Sequence, residues 1–248
     1  MKTAFLAGLI GSAMVATAAP ATVTVSYEAA GVQGTTASVS GRQVATFDQM
    51  SGWVGSGNIF SGPISGTIAD GGFNLYDANA YGGASGTGKY ATVYNTTSIK
   101  LSEMVTYAGL WASAIDGDFS NSLGNTVSLY AGSTLLGSYA LKPLLAGVSN
   151  DYYGNPNFPG QDGNEPFAFF NFSSTTGFDR IDLTQNGGGG FELDNITIGQ
   201  RAFVPGGETP PQNAGAVPEP ASWAMMIIGF GLTGAVLRGS RRKMAARL

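Results

Sequence analysis

From Thr22 the chain alternates, with Val23, Val25 and Tyr27 on one side and Thr22, Thr24 and Ser26 on the other. That is the period of a half-buried strand. Short runs of β-branched and aromatic residues recur at 42–47, 89–94, 104–111, 126–131, 134–140, 167–172, 178–183 and 191–198. Gly, Asn, Asp and Pro clusters separate them as turn signals. No interval carries a sustained helical apolar repeat. The pattern predicts an all-β domain, a jelly-roll-like β-sandwich, rather than βαβ units.

Three local patterns sharpen this expectation. Residues 127–130 and 134–136 read as a hairpin, with Gly132 free to take the positive φ of the turn. In 191–198 the apolar positions are odd before Asp194 and even after Asn195, a phase change that a β-bulge produces. In Phe167-Ala168-Phe169-Phe170-Asn171-Phe172 the aromatic residues fall on both faces, which predicts burial on both. Residues 52–62 and 149–165, rich in Gly, Asn and Pro, read as long loops.

The two ends follow a different pattern. Met1 and Lys2 precede an apolar run from Ala4 to Ala16, and Ala16-Thr17-Ala18 supplies a small-x-small cleavage pattern. Residues 1–18 therefore read as a signal peptide removed by signal peptidase, and residues 19–202 as one surface domain. Residues 203–217, with Pro-Gly-Gly and Thr-Pro-Pro, read as a flexible linker. Residues 221–237 lack charge, open with Ser222 and Trp223, and end at Arg238. This is the length of a short transmembrane helix, with an interfacial tryptophan and with Arg238, Arg241, Arg242 and Lys243 as a cytoplasmic anchor.

Pro218-Glu219-Pro220-Ala221-Ser222-Trp223-Ala224, a Gly-bearing apolar stretch and an Arg-rich end together resemble the PEPxxWA variety of PEP-CTERM sorting domain. The resemblance covers residues 218–243. It implies recognition by an exosortase, a membrane protease-transpeptidase, with cleavage near Pro218, Glu219 and Pro220. Trp223 and Ala224 complete the motif. The implied route runs through an inner-membrane intermediate to the cell surface, outer envelope or extracellular matrix of a Gram-negative bacterium. More weakly, residues 107–116, 126–136, 167–172 and 190–198 resemble domains of exosortase-dependent surface proteins of unknown function.

Composition narrows the chemistry. The chain has no Cys and no His, which removes thiol nucleophiles, disulfides, the common structural zinc sites and Ser-His-Asp catalysis. Between residues 19 and 216 there are six basic residues against fifteen acidic ones, a balance unsuited to a nucleic-acid partner.

The Asp116-Gly117-Asp118 segment, with Asn121 and Asn125, offers calcium-type oxygen ligands. It departs from the EF-hand pattern at Ser120 and Val127, and a solvated Asp-Gly turn is the alternative. Asp194 with Asn195 is a second candidate oxygen site, or a pair bonded to nearby backbone. Calcium is the one cofactor these residues suggest; otherwise none is expected.

Glu103, Glu165 and Glu192 are the glutamates a glycan-active hydrolase would draw on, but no spacing selects a pair. The expected role is therefore non-enzymatic: a structural or adhesive protein of the surface or biofilm matrix. The alternative is a carbohydrate-binding module that stacks polysaccharide on Trp53, Tyr152 and Tyr153. Trp111, in an apolar strand, reads as core.

Overall fold

A computed structural model describes residues 22–78, 80–115, 124–186 and 189–201. The signal peptide, the linker and the span expected at 221–237 lie outside the described residues. The strands are β1 (Val23–Tyr27), β2 (Ser40–Ala45), β3 (Trp53–Val54), β4 (Gly66–Asp70), β5 (Phe73–Asp77), β6 (Lys89–Val93), β7 (Thr96–Ser113), β8 (Thr126–Ala131), β9 (Thr134–Ala140), β10 (Ala168–Thr184) and β11 (Phe191–Gln200). The described helices are α1 (Leu141–Leu144) and a 3₁₀ turn at Asn150–Tyr152. No helix among the described residues is long and apolar enough to cross a membrane.

All the strand pairings are antiparallel and join into one sheet. Its order is β3-β5-β6-β11-β7-β10-β8-β9, with β1 added to β10, β2 to β11 and β4 to β7. This sheet is folded over on itself. Leu183 pairs with Val127 and Val127 with Tyr139. A straight β10 would place Phe172 roughly 36 Å from Leu183. Yet the Tyr139 and Phe172 rings lie 5.8 Å apart between centroids. Thr97, at the start of β7, likewise donates to the carbonyl of Gly72 at 2.7 Å, although β5 belongs with the far half of β7.

The fold-over is written in a change of phase. In β7 the core residues are Ile99, Leu101 and Val105, then Ala108, Leu110 and Ala112. In β10 they are Ala168, Phe170 and Phe172, then Phe178, Ile181 and Leu183. The register between the two strands shifts between Ser173 and Phe178 and again before Arg180. Ser102, Glu103 and Met104 are exposed at the corner, and Gly177 has φ +76°. A bulge re-aims side chains in this way and lets one strand serve both layers.

The all-β expectation holds, as one folded antiparallel sheet. The hairpin and the two-sided burial of the Phe-rich run are as the sequence predicts: Gly132 has φ +59°, and Phe169 and Phe170 are both buried. The phase change in β11 is a bulge. Its register against β7 shifts between Asp194 and Thr197, with Asn195 at φ +49°.

Three strands fall where no strand was predicted. β3 lies inside the expected 52–62 loop, and β4 and β5 are short and interrupted by Gly, Asp and Asn. The two runs expected at 167–172 and 178–183 are one strand, because Ser173–Gly177, which looks like a turn, instead carries the bend.

Truncating Phe170, which is fully buried and meets Tyr27 edge-on at 6.4 Å, should lower stability by about 3–5 kcal/mol. The check is urea unfolding of Phe170→Ala against the parent chain; a cost under about 1 kcal/mol would show that this residue is not a pillar of the core.

Candidate functional site

The layer formed by β1, β11, β6, β5, β3 and the adjoining halves of β7 and β10 has one face on the core and one outward. Outward positions alternate with core positions, so they follow from the register. Trp53 lies opposite Asn74, Asn74 opposite Thr92, Tyr76 opposite Tyr90, and Thr92 opposite Glu192. Glu192 lies opposite Ser113, and Asp194 opposite Trp111.

Part of this face is roofed by the 80–88 segment. Trp111 Nε1 donates to Gly83 O at 3.0 Å, and Asn157 Nδ2 donates to the same oxygen at 3.4 Å. Gly83 N donates to Ser113 Oγ at 3.2 Å, and Asn155 Nδ2 to Tyr81 O at 3.3 Å. Trp111 is fully buried and packs on Phe167 at 6.3 Å, so it is core, as its apolar strand predicts.

Asp194 is an ionisable group under this roof, as is Glu192, whose Oε2 lies against Gly82. Asp194 Oδ2 accepts from Ala84 N at 2.9 Å and its Oδ1 from Asn195 N at 2.6 Å. Both oxygens thus serve backbone donors. Burial pushes the carboxyl up to about 7; the two N–H donors pull it down, and Asp48 adds a smaller upward push. Asp48 itself accepts from Lys89 N at 2.9 Å. Asp116 and Asp118, the other calcium candidates, lie outside the described residues. Among the described residues no group of three or more Asp or Glu is placed to hold a metal ion.

The roof ends short of the β3 edge. Trp53 is 59% exposed, Tyr81 62%, Tyr94 45% and Tyr76 39%. The Trp53 ring lies along Gly72, where an added Cβ would stand 2.5 Å from Cζ2. The Tyr94 ring lies along Gly190, where an added Cβ would stand 3.4 Å from its Cε1. Tyr76 and Tyr94 join hydroxyls at 2.8 Å, and Tyr76 packs on Tyr90 at 5.9 Å. The hydrogen bond with Tyr76, followed by burial, pushes the Tyr94 hydroxyl up to about 12. In its floor, Thr92 is buried and its Oγ1 has no hydrogen-bond partner.

The residues expected to share a glycan surface do not meet. β5, β6, β11 and β7 stand between β3, which carries Trp53, and β10, against whose start the 149–165 loop is tied: Phe167 N donates to Tyr152 O at 2.8 Å. Tyr152 is a strut. Its hydroxyl donates to Glu28 O at 2.8 Å, its ring meets Tyr27 edge-on at 5.7 Å, and burial raises its pKa. Tyr153 is exposed, and its backbone bridges to Pro166. Tyr76 escapes the sequence reading because residues 73–77 are not among the expected strands, although Phe73-Asn74-Leu75-Tyr76 alternates; Tyr94 ends the expected 89–94 run, but its partner Tyr76 does not show without that strand.

The sorting-motif residues Pro218, Glu219, Pro220, Trp223 and Ala224, the basic cluster Arg238, Arg241, Arg242 and Lys243, and the signal-peptidase positions Ala16 and Ala18 lie outside the described residues. Residues 216–243 match the PEP-CTERM protein-sorting motif. No curated protein and no solved structure matches the chain.

The raised pKa of Asp194 has a definite sign. Folded Asp194 keeps its proton up to about pH 7, whereas its ordinary value is 3.8, so between these the folded state binds more protons. The contribution is full below the ordinary value and is lost as pH rises through about 7. Urea midpoints of the parent chain should therefore fall across this window relative to those of Asp194→Asn. Parallel pH profiles for the two proteins would show that Asp194 is already ionised when folded.

Proposed function

We propose that this is an exported protein of the bacterial cell surface, processed by an exosortase, in which the folded β-domain plays a structural or adhesive part and catalyses nothing. The observation that carries the reading is the match of residues 216–243 to the PEP-CTERM sorting motif. That motif implies exosortase-dependent export to the envelope or surface. In this reading residues 221–237 are held in the inner membrane until processing, and the envelope or biofilm matrix of a Gram-negative cell receives the domain.

Two features support a non-catalytic part. Glu103 sits at the exposed corner of β7, and Glu192 lies opposite Ser113 at the far end of that strand. The positions are on the order of 30 Å apart along β7, whereas a glycosidase pair stands about 5–9.5 Å apart. The Asp194 carboxyl is occupied by backbone N–H donors under the roof. The second reading, carbohydrate binding, is favoured by the exposed aromatic cluster on β3, β5 and the end of β6.

Mass spectrometry of the cell-associated and released protein tests the sorting route. The mature surface form should lack residues 238–248, and Glu219→Ala should accumulate as the uncleaved precursor. A mature surface form that retains these residues would overturn exosortase removal.

A further inference from the structure

The exposed aromatic cluster lies at one end of the molecule and both described termini at the other. Thr22 N donates to Thr175 Oγ1 at 3.0 Å. Arg201 N donates to Thr106 Oγ1 at 2.8 Å, and Arg201 Nη1 to Ser173 Oγ at 3.4 Å. These partners all sit beside the corner of β7 and β10. From Glu192, next to the aromatic cluster, β11 runs about 30 Å to Arg201. Beyond Arg201 the chain continues toward the sorting motif at 216–243. A molecule held from its C-terminal side therefore turns Trp53, Tyr76, Tyr94 and Tyr81 away from the membrane.

The chemistry of the cluster narrows its occupant. Its rings are exposed although each has polar neighbours: Asn74 opposite Trp53, the joined hydroxyls of Tyr76 and Tyr94, and the hydroxyl of Thr92 beneath. No Lys or Arg stands at the outward positions of β3, β5, β6 or the first half of β11, and Glu192 puts an acid there. An anionic polymer finds no cation here and meets a like charge. Gly72 has no side chain, and this lets the Trp53 ring lie against the backbone at the end of β5 with its other side exposed. Apolar C–H faces with hydroxyls at their edges, as on a neutral sugar ring, suit such a surface: the faces stack on rings, and the hydroxyls find amide and phenol partners. Exposed rings spread over β3, β5, the residue after β6 and the 80–88 segment suit a polymer rather than a single sugar.

We propose that Trp53, Tyr76, Tyr94 and Tyr81 form a stacking platform for a neutral polysaccharide outside the cell, with Asn74 supplying an edge hydrogen bond. This deepens the adhesive reading above and rests on it: the sorting signal delivers the domain, and the platform is what grips.

The test is affinity electrophoresis of the full chain in lipid nanodiscs, through gels containing hydroxyethyl cellulose, laminarin, dextran, galactomannan or the anionic polygalacturonate. At least one neutral polysaccharide should retard the protein. Trp53→Ala and Tyr94→Ala should each weaken that retardation about tenfold. Tyr153→Ala, which removes an equally exposed ring elsewhere, should leave it unchanged. Unfolding midpoints equal to the parent's establish that the variants are folded, and Trp53→Phe, which keeps a ring, should retain most of the binding.

Retardation by none of the neutral polymers, by polygalacturonate alone, or equally in the parent and both alanine variants would overturn the platform. So would loss, in Trp53→Ala, of a dimer seen by sedimentation, because the occupant would then be a second copy. Cell attachment by the same variants separates this failure from failure of the adhesive reading. Attachment that survives loss of the rings leaves adhesion standing on another surface, whereas a parent chain that never promotes attachment removes adhesion itself.

Discussion

The bend that β7 and β10 make together is the constraint on which the other elements depend. A single sheet of this many strands exposes two faces, and a strand has only two sides on which to place apolar residues. By changing phase on either side of the Val105–Phe178 pair, between Val105 and Ala108 in one strand and between Phe178 and Ile181 in the other, the two strands turn one sheet into two layers around one core. Extra residues at a bulge are the cheap means of doing this. Ser173–Gly177 serves that purpose, with Gly177 able to hold φ +76° without a Cβ. The outer edges then follow: β4, β8 and β9 extend one layer, and β1, β11, β6, β5 and β3 the other.

The same bend creates a second problem at the outward face of the larger layer. Trp111, Tyr107, Phe169 and Asn171 point away from the main core yet are buried, so loops must cover them. Their polar atoms decide how. Asn171 accepts from Tyr107 Oη at 2.6 Å and from Thr35 Oγ1 at 3.0 Å, and donates to Glu28 at 3.0 Å. Asp194 and Ser113 take the backbone N–H groups of Ala84 and Gly83. Each bond pins a loop that has no sheet to join, because a buried polar group left without a partner is costly. The bulge at Asp194-Asn195 belongs to the same arrangement: Asn195, in the left-handed region, sends Nδ2 to Gln33 O at 2.9 Å. Where the polar anchors stop, the roof stops, and the aromatic rings toward Trp53 are left bare.

Sequence patterning reached the parts of this fold in which period and burial coincide. The hairpin through Gly132, the bulge after Asp194 and the two-sided Phe run each leave a parity signature that survives in one dimension. It failed at β3, β4 and β5, whose stability is tertiary. Trp53–Val54 is a strand only because Phe73 and Asn74 lie beside it, and no window of two residues reveals that. It failed differently for the candidate surface. Trp53, Tyr152 and Tyr153 share composition and loop-like context, but the strand order separates them. Tyr152 is a strut because Glu28 O, far away in sequence, accepts the hydrogen bond of its hydroxyl. The sorting motif was legible for the opposite reason: contiguous residues carry its recognition, so no fold is needed to assemble it.

Length and direction of the strands connect the two ends of the argument. β11 pairs with β6 through Phe191–Leu193 and with β2 through Ile196–Gln200. One strand thus ties the aromatic end of the layer to the end from which the chain departs. Force applied at Arg201 acts along β11, roughly parallel to its own strand direction, and is resisted by hydrogen bonds to β7 on one side and to β6 and β2 on the other. Pulled lengthwise, these bonds must shear together rather than open one at a time. That geometry suits the proposed attachment from the C-terminal side: the strand that would take the load is central in its layer, and Trp53, on the marginal strand β3, sits outside the line of force.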